Sequence, residues 1–209
     1  MQTITQIKKN LYTIWANKYL KNEQVHDLFF DIANGSILPH LVESLWDEPL
    51  EKQWNKTPSY YGEKRANIQL SLDFLSQKKG LKTKFSSSNL VIDRTGKEAL
   101  SLLDSIYALH SIDTISFNGE TGKRALLNWC KKSAEESNVK INDFTSSWRD
   151  GKAFSAIFNK YKPNGMEINH LQETLGLTSL NNEIFDESVN LFIASELFHL
   201  VNGSSNQFL

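Results

Sequence analysis

The chain holds a single cysteine, Cys130, among 209 residues. One thiol cannot close an internal disulfide, and it suits a reducing compartment. Charge of one sign is also missing. The 23 Lys and Arg face 24 Asp and Glu, a net charge of −1, which removes the global electrostatic case for nucleic acid. No apolar run approaches the ~20 residues that span a bilayer, so no transmembrane segment is expected. The opening MQTITQIKKN lacks the apolar core of a signal peptide. Together these absences predict a cytoplasmic protein. Prolines number four and glycines ten, beside many Leu, Lys, Asn and Ser, which predicts a mostly helical chain. The length accommodates two domains of about 100 residues each.

Signals for chemistry are scarce too. His26, His40, His110, His170 and His199 are scattered, and none pairs with a cysteine or carboxylate at ligand spacing. Gly119–Arg124 (GETGKR) looks superficially like a phosphate loop but lacks the G-x-x-x-x-G-K-[ST] frame and a preceding strand. No EF-hand loop occurs, so any calcium sensor would lie outside this chain. The expectation is a non-enzyme with no catalytic residue, no metal site and no cofactor.

What is present is helical periodicity. In residues 5–20, Ile7, Leu11, Ile14 and Trp15 share one apolar face. Lys8, Lys9, Asn10, Tyr12 and Thr13 lie off it, and Tyr12 is expected to be exposed. Ile37, Leu38, Leu41, Val42 and Leu45 form a second core helix. It starts either from an Asn34 cap or near Leu38, with Pro39 at its first position. Residues 47–62 carry too many aromatics for a solvated linker and read as an ordered loop. Arg65–Lys79 is a helix that Gly80 closes in a left-handed conformation. Ser86–Ser88 reads as a polar loop, Lys97–His110 as a helix and Ser111–Gly122 as a polar boundary. Lys123–Ser133 and the apolar Asp186–Val201 are further helices, and the tail NGSSNQFL is expected to fray.

Phe144–Phe154 (FTSSWRDGKAF) is the most informative stretch. Trp148 is a core anchor, and Asp150 can cap the next helix. Phe154, Ile157, Phe158 and Tyr161 then recur at i, i+3, i+4 and i+7, before Pro163. The halves echo each other: Trp15 with Trp129, Asn34-Gly35 with Asp150-Gly151, and the helix from Ile37 with that from Phe154. Cys130, next to Trp129, reads as an apolar filler.

LLNWCKK (126–132), VKINDFTSSWRDGKAFSAIFNKYKP (139–163) and DESVNLFIASELFHLV (186–201) resemble the second repeat of a tandem calponin-homology actin-binding domain. That type occurs in α-actinin, spectrin, filamin and plectin. IKKNLYTIW (7–15), LFFDIANGSIL (28–38), NIQLSLDFL (67–75) and GLKTKFSSSNLVID (80–93) are similar to the first repeat. The resemblance implies an all-α fold of two calponin-homology domains in tandem, spanning 1–112 and 123–209. Residues 113–122 are the linker, and the second domain is shortened.

It also implies an F-actin side-binding module of a cytoskeletal crosslinker or scaffold, in the cytoplasm at actin filaments and the cell cortex. The first domain leads and the second modulates. The implied contacts are Lys8, Lys9, Asn10, Tyr12 and Thr13 on the first helix, then Lys82, Lys84 and Lys97, and Lys123 and Arg124 in the second repeat. Lys78, Lys79, Lys82 and Lys84 form a local basic patch that the balanced total hides. Oligomerisation would come only from regions outside this chain. The alternative is a pair of the same fold that binds microtubules, a signalling partner or a phosphoinositide membrane. Three departures point to a weaker clasp between the repeats. Ile106 or Tyr107 stands where the family has tryptophan, Ser188 follows Asp186-Glu187, and residues 169–185 are shorter than the family norm.

Overall fold

The computed structural model describes residues 3–21, 23–161 and 186–203. The chain divides into two compact units, Leu11–His110 and a second that joins residues 1–10 to 111–209. Helices make up nearly all the regular structure, as an all-α fold requires.

The unit Leu11–His110 takes the later turns of α1 (Ile4–Tyr19). Trp15 is buried there, with the Tyr107 ring edge-on at 5.3 Å. α2 (Leu28–Asn34) is capped by the Asp27 carboxylate and stops at Gly35, where φ is +77°. α3 (Ile37–Trp46) follows and buries the five expected residues together with Pro39. Its cap position is Ser36; Asn34 instead ends α2, which corrects the Asn34 start, while the start near Leu38 holds to one residue with Pro39 third and not first. Pro39 is the third helical residue. N–H groups of the first turn have no acceptor inside the helix, so the missing donor costs nothing there.

The loop after α3 is ordered by two polar side chains. Glu43 Oε1 accepts the Leu50 N–H at 3.0 Å and the Trp54 indole N–H at 3.3 Å. Buried Asn67 donates to the Gly35 and Asn55 carbonyls at 3.0 and 2.7 Å and accepts the Asn55 N–H at 3.0 Å. Asn67 sits on α4 (Tyr61–Lys79), which begins before Arg65 because the Ser59 N–H and hydroxyl both donate to Glu63. Those bonds, the backbone one first, hold the Glu63 carboxyl below its usual range. Gly80 closes α4 at φ +77°, as expected. The serine run is not a loop: Ser86 caps α5 (Ser87–Ile92). α6 (Lys97–Tyr107) completes the unit and widens into a π-turn that starts at Ala108.

In the second unit, a small hairpin pairs β1 (Ser116–Phe117) with β2 (Glu120–Thr121). Its turn, Asn118-Gly119, has both residues at positive φ, the Asn-Gly signature of a tight hairpin. The GETGKR segment is therefore the second strand of this hairpin and the start of α7 (Gly122–Ala134). Trp129 on α7 stacks on Tyr161 at 5.5 Å and meets Phe198 edge-on at 5.4 Å. Phe198 lies on α9 (Glu187–Asn202), capped by the Asp186 carboxylate, and Tyr161 ends α8 (Lys152–Tyr161).

Trp148 closes a short 3-10 turn (Ser146–Trp148), and its indole N–H donates to the Asp143 carbonyl at 2.7 Å. Its ring lies 4.5 Å from that of Phe154. The Asp143 carboxylate accepts the Ser146 hydroxyl, then the Thr145 and Ser147 N–H groups, which holds it well below the usual range. Asp150 accepts the Lys152 N–H at 3.0 Å at the start of α8, as its capping role requires. Cys130 is fully buried, and burial pushes its thiol up, in keeping with an apolar filler.

The internal echo holds at the level of single bonds. The Gly35 N–H donates to the Ile32 carbonyl at 3.1 Å, and the Gly151 N–H to that of Trp148 at 3.2 Å. Both glycines have positive φ, +77° and +70°. The Asn-Gly and Asp-Gly pairs thus make the same turn into the following core helix. The segment 169–185, expected to be short, Pro163 and the tail beyond Gly203 lie outside the described residues.

Candidate functional site

The predicted contacts on α1 divide. Lys8, Lys9, Asn10 and Thr13 are half-buried, and Asn10 Oδ1 accepts a hydrogen bond from Gln6 Nε2 at 2.9 Å. Tyr12, expected at the surface, is only 2 % exposed. Its hydroxyl donates to Asp104 on α6, and its ring packs 6.2 Å from Trp15 and 6.1 Å from Tyr107. The apolar stripe of α1 is wider than its four aliphatic and tryptophan positions indicate. Asp104, far away in sequence, supplies the partner that a buried phenol needs.

The lysines near the end of α4 divide as well. Lys78 pairs with Glu51 at 3.2 Å, and Lys79 pairs with Glu48 while lying 4.9 Å from the Phe74 ring. Lys79 is drawn back onto its own unit, and Lys78 stays exposed beside Glu51, which leaves Lys82 and Lys84 as the members of the four-lysine patch that are without a local carboxylate. These two are exposed on the irregular segment before α5 and have no ion pair among the described residues.

α5 is about 9 Å long at 1.5 Å per residue, and beyond it comes a second cationic stretch. Arg94 and Lys97 are exposed, again without an ion pair among the described residues. Asp93 shapes this corner. Its Oδ1 accepts the Thr95 N–H (3.0 Å), the Thr95 hydroxyl (2.9 Å) and the Gly96 N–H (3.0 Å). Its Oδ2 accepts the N–H groups of Glu98 (2.8 Å) and Ala99 (3.2 Å) in the first turn of α6. Burial works to raise its pKa, yet the hydrogen bonds from Thr95, Ala99 and Glu98 outweigh it and the net direction is down. Ile92, the last residue of α5, is 64 % exposed, and Phe30 on α2 is 67 % exposed. Arg94 is a candidate the sequence reading passed over. Its signal was its place between the family-like segment 80–93 and the helix expected over 97–110.

In the second unit Lys123 pairs with Glu187, and Arg124 pairs with Glu120 at 3.1 Å. A predicted cation with a local carboxylate has less charge to offer a partner. Among the described residues, no group of three or more His, Cys, Asp and Glu could hold a metal ion. No helix among them is long and apolar enough to cross a membrane. A surface cavity beside α4, about 160 Å³ and lined by Glu51, Asp73, Phe74 and Lys78 among others, is smaller than the ~300 Å³ of an ordinary ligand pocket.

Comparison with known proteins gives these features a family. The chain is 29% identical over 177 residues to Alpha-actinin of Dermatophagoides farinae, covering 83% of this chain and 20% of that protein. It is 29% identical over 178 residues to Alpha-actinin-4 of Homo sapiens, covering 84% and 19%. Against the Spectrin beta chain of Drosophila melanogaster it is 32% identical over 189 residues, covering 84% and 8%. The chain thus spans a fifth or less of the length of these curated relatives. The model of the calponin homology (CH) domain matches residues 6–113 and again 120–196. With most of its length matched in two consecutive segments, the chain belongs to the calponin homology domain family.

Proposed function

We propose that this chain is a non-enzymatic module that binds the side of actin filaments, with the first domain carrying most of the contact and the second tuning it. The observation that carries the reading is the uneven pairing of its cations. Lys78, Lys79, Lys123 and Arg124 each share their charge with a carboxylate of their own unit. Lys82, Lys84, Arg94 and Lys97 on the first domain remain available to an outside partner. Actin's surface is acidic, so lysines there steer the encounter, and exposed Ile92 offers apolar area for the desolvated centre. Lys8, Lys9, Asn10 and Thr13 on α1 are further proposed contacts; Tyr12 supports α1 from within, buried against Asp104. A place at the actin cytoskeleton follows from this binding, and crosslinking would require a second site supplied from elsewhere.

Filament pelleting of the triple variant Lys82→Glu/Lys84→Glu/Lys97→Glu tests the reading. Affinity should fall more than about tenfold, because charge reversal replaces attraction with repulsion at three points. The helical circular dichroism signal should not change. Undiminished pelleting would refute it, as would binding of the unmodified chain to microtubules or phosphoinositide vesicles but not to filaments.

A further inference from the structure

The segment between α4 and α5, residues 80–86, forms neither helix nor strand. Lys82, Thr83, Lys84 and Ser86 are all exposed along it. A kinase groove takes its substrate as an extended strand; residues 80–86 are already free of helix, so only the first turn of the short α5 must open.

The three serines that follow Phe85 differ sharply. Ser87 is buried, and its hydroxyl donates to Gln69 Oε1 at 2.9 Å. Ser88 is half-buried within the first turn of α5. Ser86 is exposed with an extended backbone (φ −101°, ψ 120°), and its hydroxyl oxygen accepts one long bond, 3.3 Å, from the Asn89 N–H. Two and four residues before it stand Lys84 and Lys82, exposed and without an ion pair among the described residues.

We infer that Ser86 is a phosphorylation site for a serine kinase that reads basic residues on the N-terminal side of its acceptor, and that the phosphate switches off the adjoining cationic face. The Ser86 hydroxyl oxygen attacks the γ-phosphorus of the kinase's magnesium-bound ATP. The bond from that phosphorus to the β,γ-bridging oxygen breaks, ADP leaves, and the hydroxyl proton passes to the kinase's base. The product carries about −1.5 to −2 charge at neutral pH, enough to offset both Lys82 and Lys84. The switch, though not the site, rests on the filament-binding reading above.

The test treats the whole chain with ATP and a lipid-activated protein kinase selective for basic residues, and maps phosphate by mass spectrometry. Ser86 should be the main site, and Lys82→Ala/Lys84→Ala should abolish its modification. Phosphate on Thr83 or Ser87 instead, or none at all, overturns the site. Phosphorylated chain should then pellet with filaments about tenfold more weakly, while kinase-treated Ser86→Ala keeps the untreated affinity. Equal pelleting before and after phosphorylation overturns the switch. Failure of the unmodified chain to pellet would refute filament binding itself, and the phosphate map would still decide the site.

Discussion

Asp93 is the residue whose removal the structure translates most directly into a measurable loss. α6 starts after Gly96, which has no side chain to cap it, and the Asp93 carboxylate takes over from three residues upstream. It satisfies the Glu98 and Ala99 N–H groups, which no carbonyl inside the helix can reach. With its other oxygen it ties down the Thr95 N–H and hydroxyl and the Gly96 N–H. Loss of a helix cap costs about 0.5–2 kcal/mol, and hydrogen bonds to a charged group are worth about 1.5–3 kcal/mol. These terms overlap, because one carboxylate makes all five bonds. For Asp93→Ala we therefore expect a loss of about 2–3 kcal/mol.

Asp93→Asn should fall between, at about 1–2 kcal/mol. Its remaining oxygen can still serve Thr95 and Gly96, but its NH₂ would face the donors of α6. Urea unfolding monitored by circular dichroism gives both numbers. The pH dependence supplies a second check. The folded-state pKa of Asp93 is depressed, so its stabilisation is complete above the unfolded carboxylate value. It is lost as pH falls through the folded one. The gap between wild type and Asp93→Asn should hold from pH 7 down to about 5 and shrink below about 4. An Asp93→Ala variant as stable as wild type, or a gap that widens on acidification, would refute the capping argument.

Asn67→Ala should cost about 2–4 kcal/mol, since it strands the buried Gly35 and Asn55 carbonyls and the Asn55 N–H; urea unfolding reports it. Gly35→Ala and Gly80→Ala share the same φ of +77°, but a methyl at Gly35 would meet the Lys64 carbonyl oxygen at 2.7 Å, while at Gly80 nothing lies within 4 Å. Gly80→Ala should therefore lose about 1–2 kcal/mol from backbone strain alone, and Gly35→Ala clearly more; equal thermal shifts would contradict the geometry. Phe154→Ala, at a fully packed site against Trp148, should cost about 3–5 kcal/mol in chemical denaturation. Tyr12→Phe should weaken unfolding stability by about 1.5–3 kcal/mol through the lost bond to the Asp104 carboxylate. It should leave filament pelleting unchanged, because the hydroxyl never faces outward.

Local rules carry much of this protein. The spacing of Ile37, Leu38, Leu41, Val42 and Leu45, and of Phe154, Ile157 and Phe158, marks core helices that the structure buries. Gly80 ends its helix, and Asp150 and Asp186 sit at helix starts, because φ preference and the reach of a short carboxylate are properties of a few neighbouring residues. The repeated Trp and the Asn-Gly and Asp-Gly turns exposed the duplication for the same reason. What depended on distant partners could not be read. Tyr12 looks like a surface residue until Asp104, on another helix, takes its hydroxyl. Lys78 and Lys79 look like an adhesive patch until Glu51 and Glu48 fold back against them. Ser86–Ser88 reads as a loop until Gln69 takes the Ser87 hydroxyl and a new helix begins there. The sequence alone therefore decides the core helices with clear apolar periodicity and the local residues that cap them, but not α5. Only the tertiary fold decides which charges remain for a partner, because ion pairing and burial are set by residues that the chain brings together from far apart.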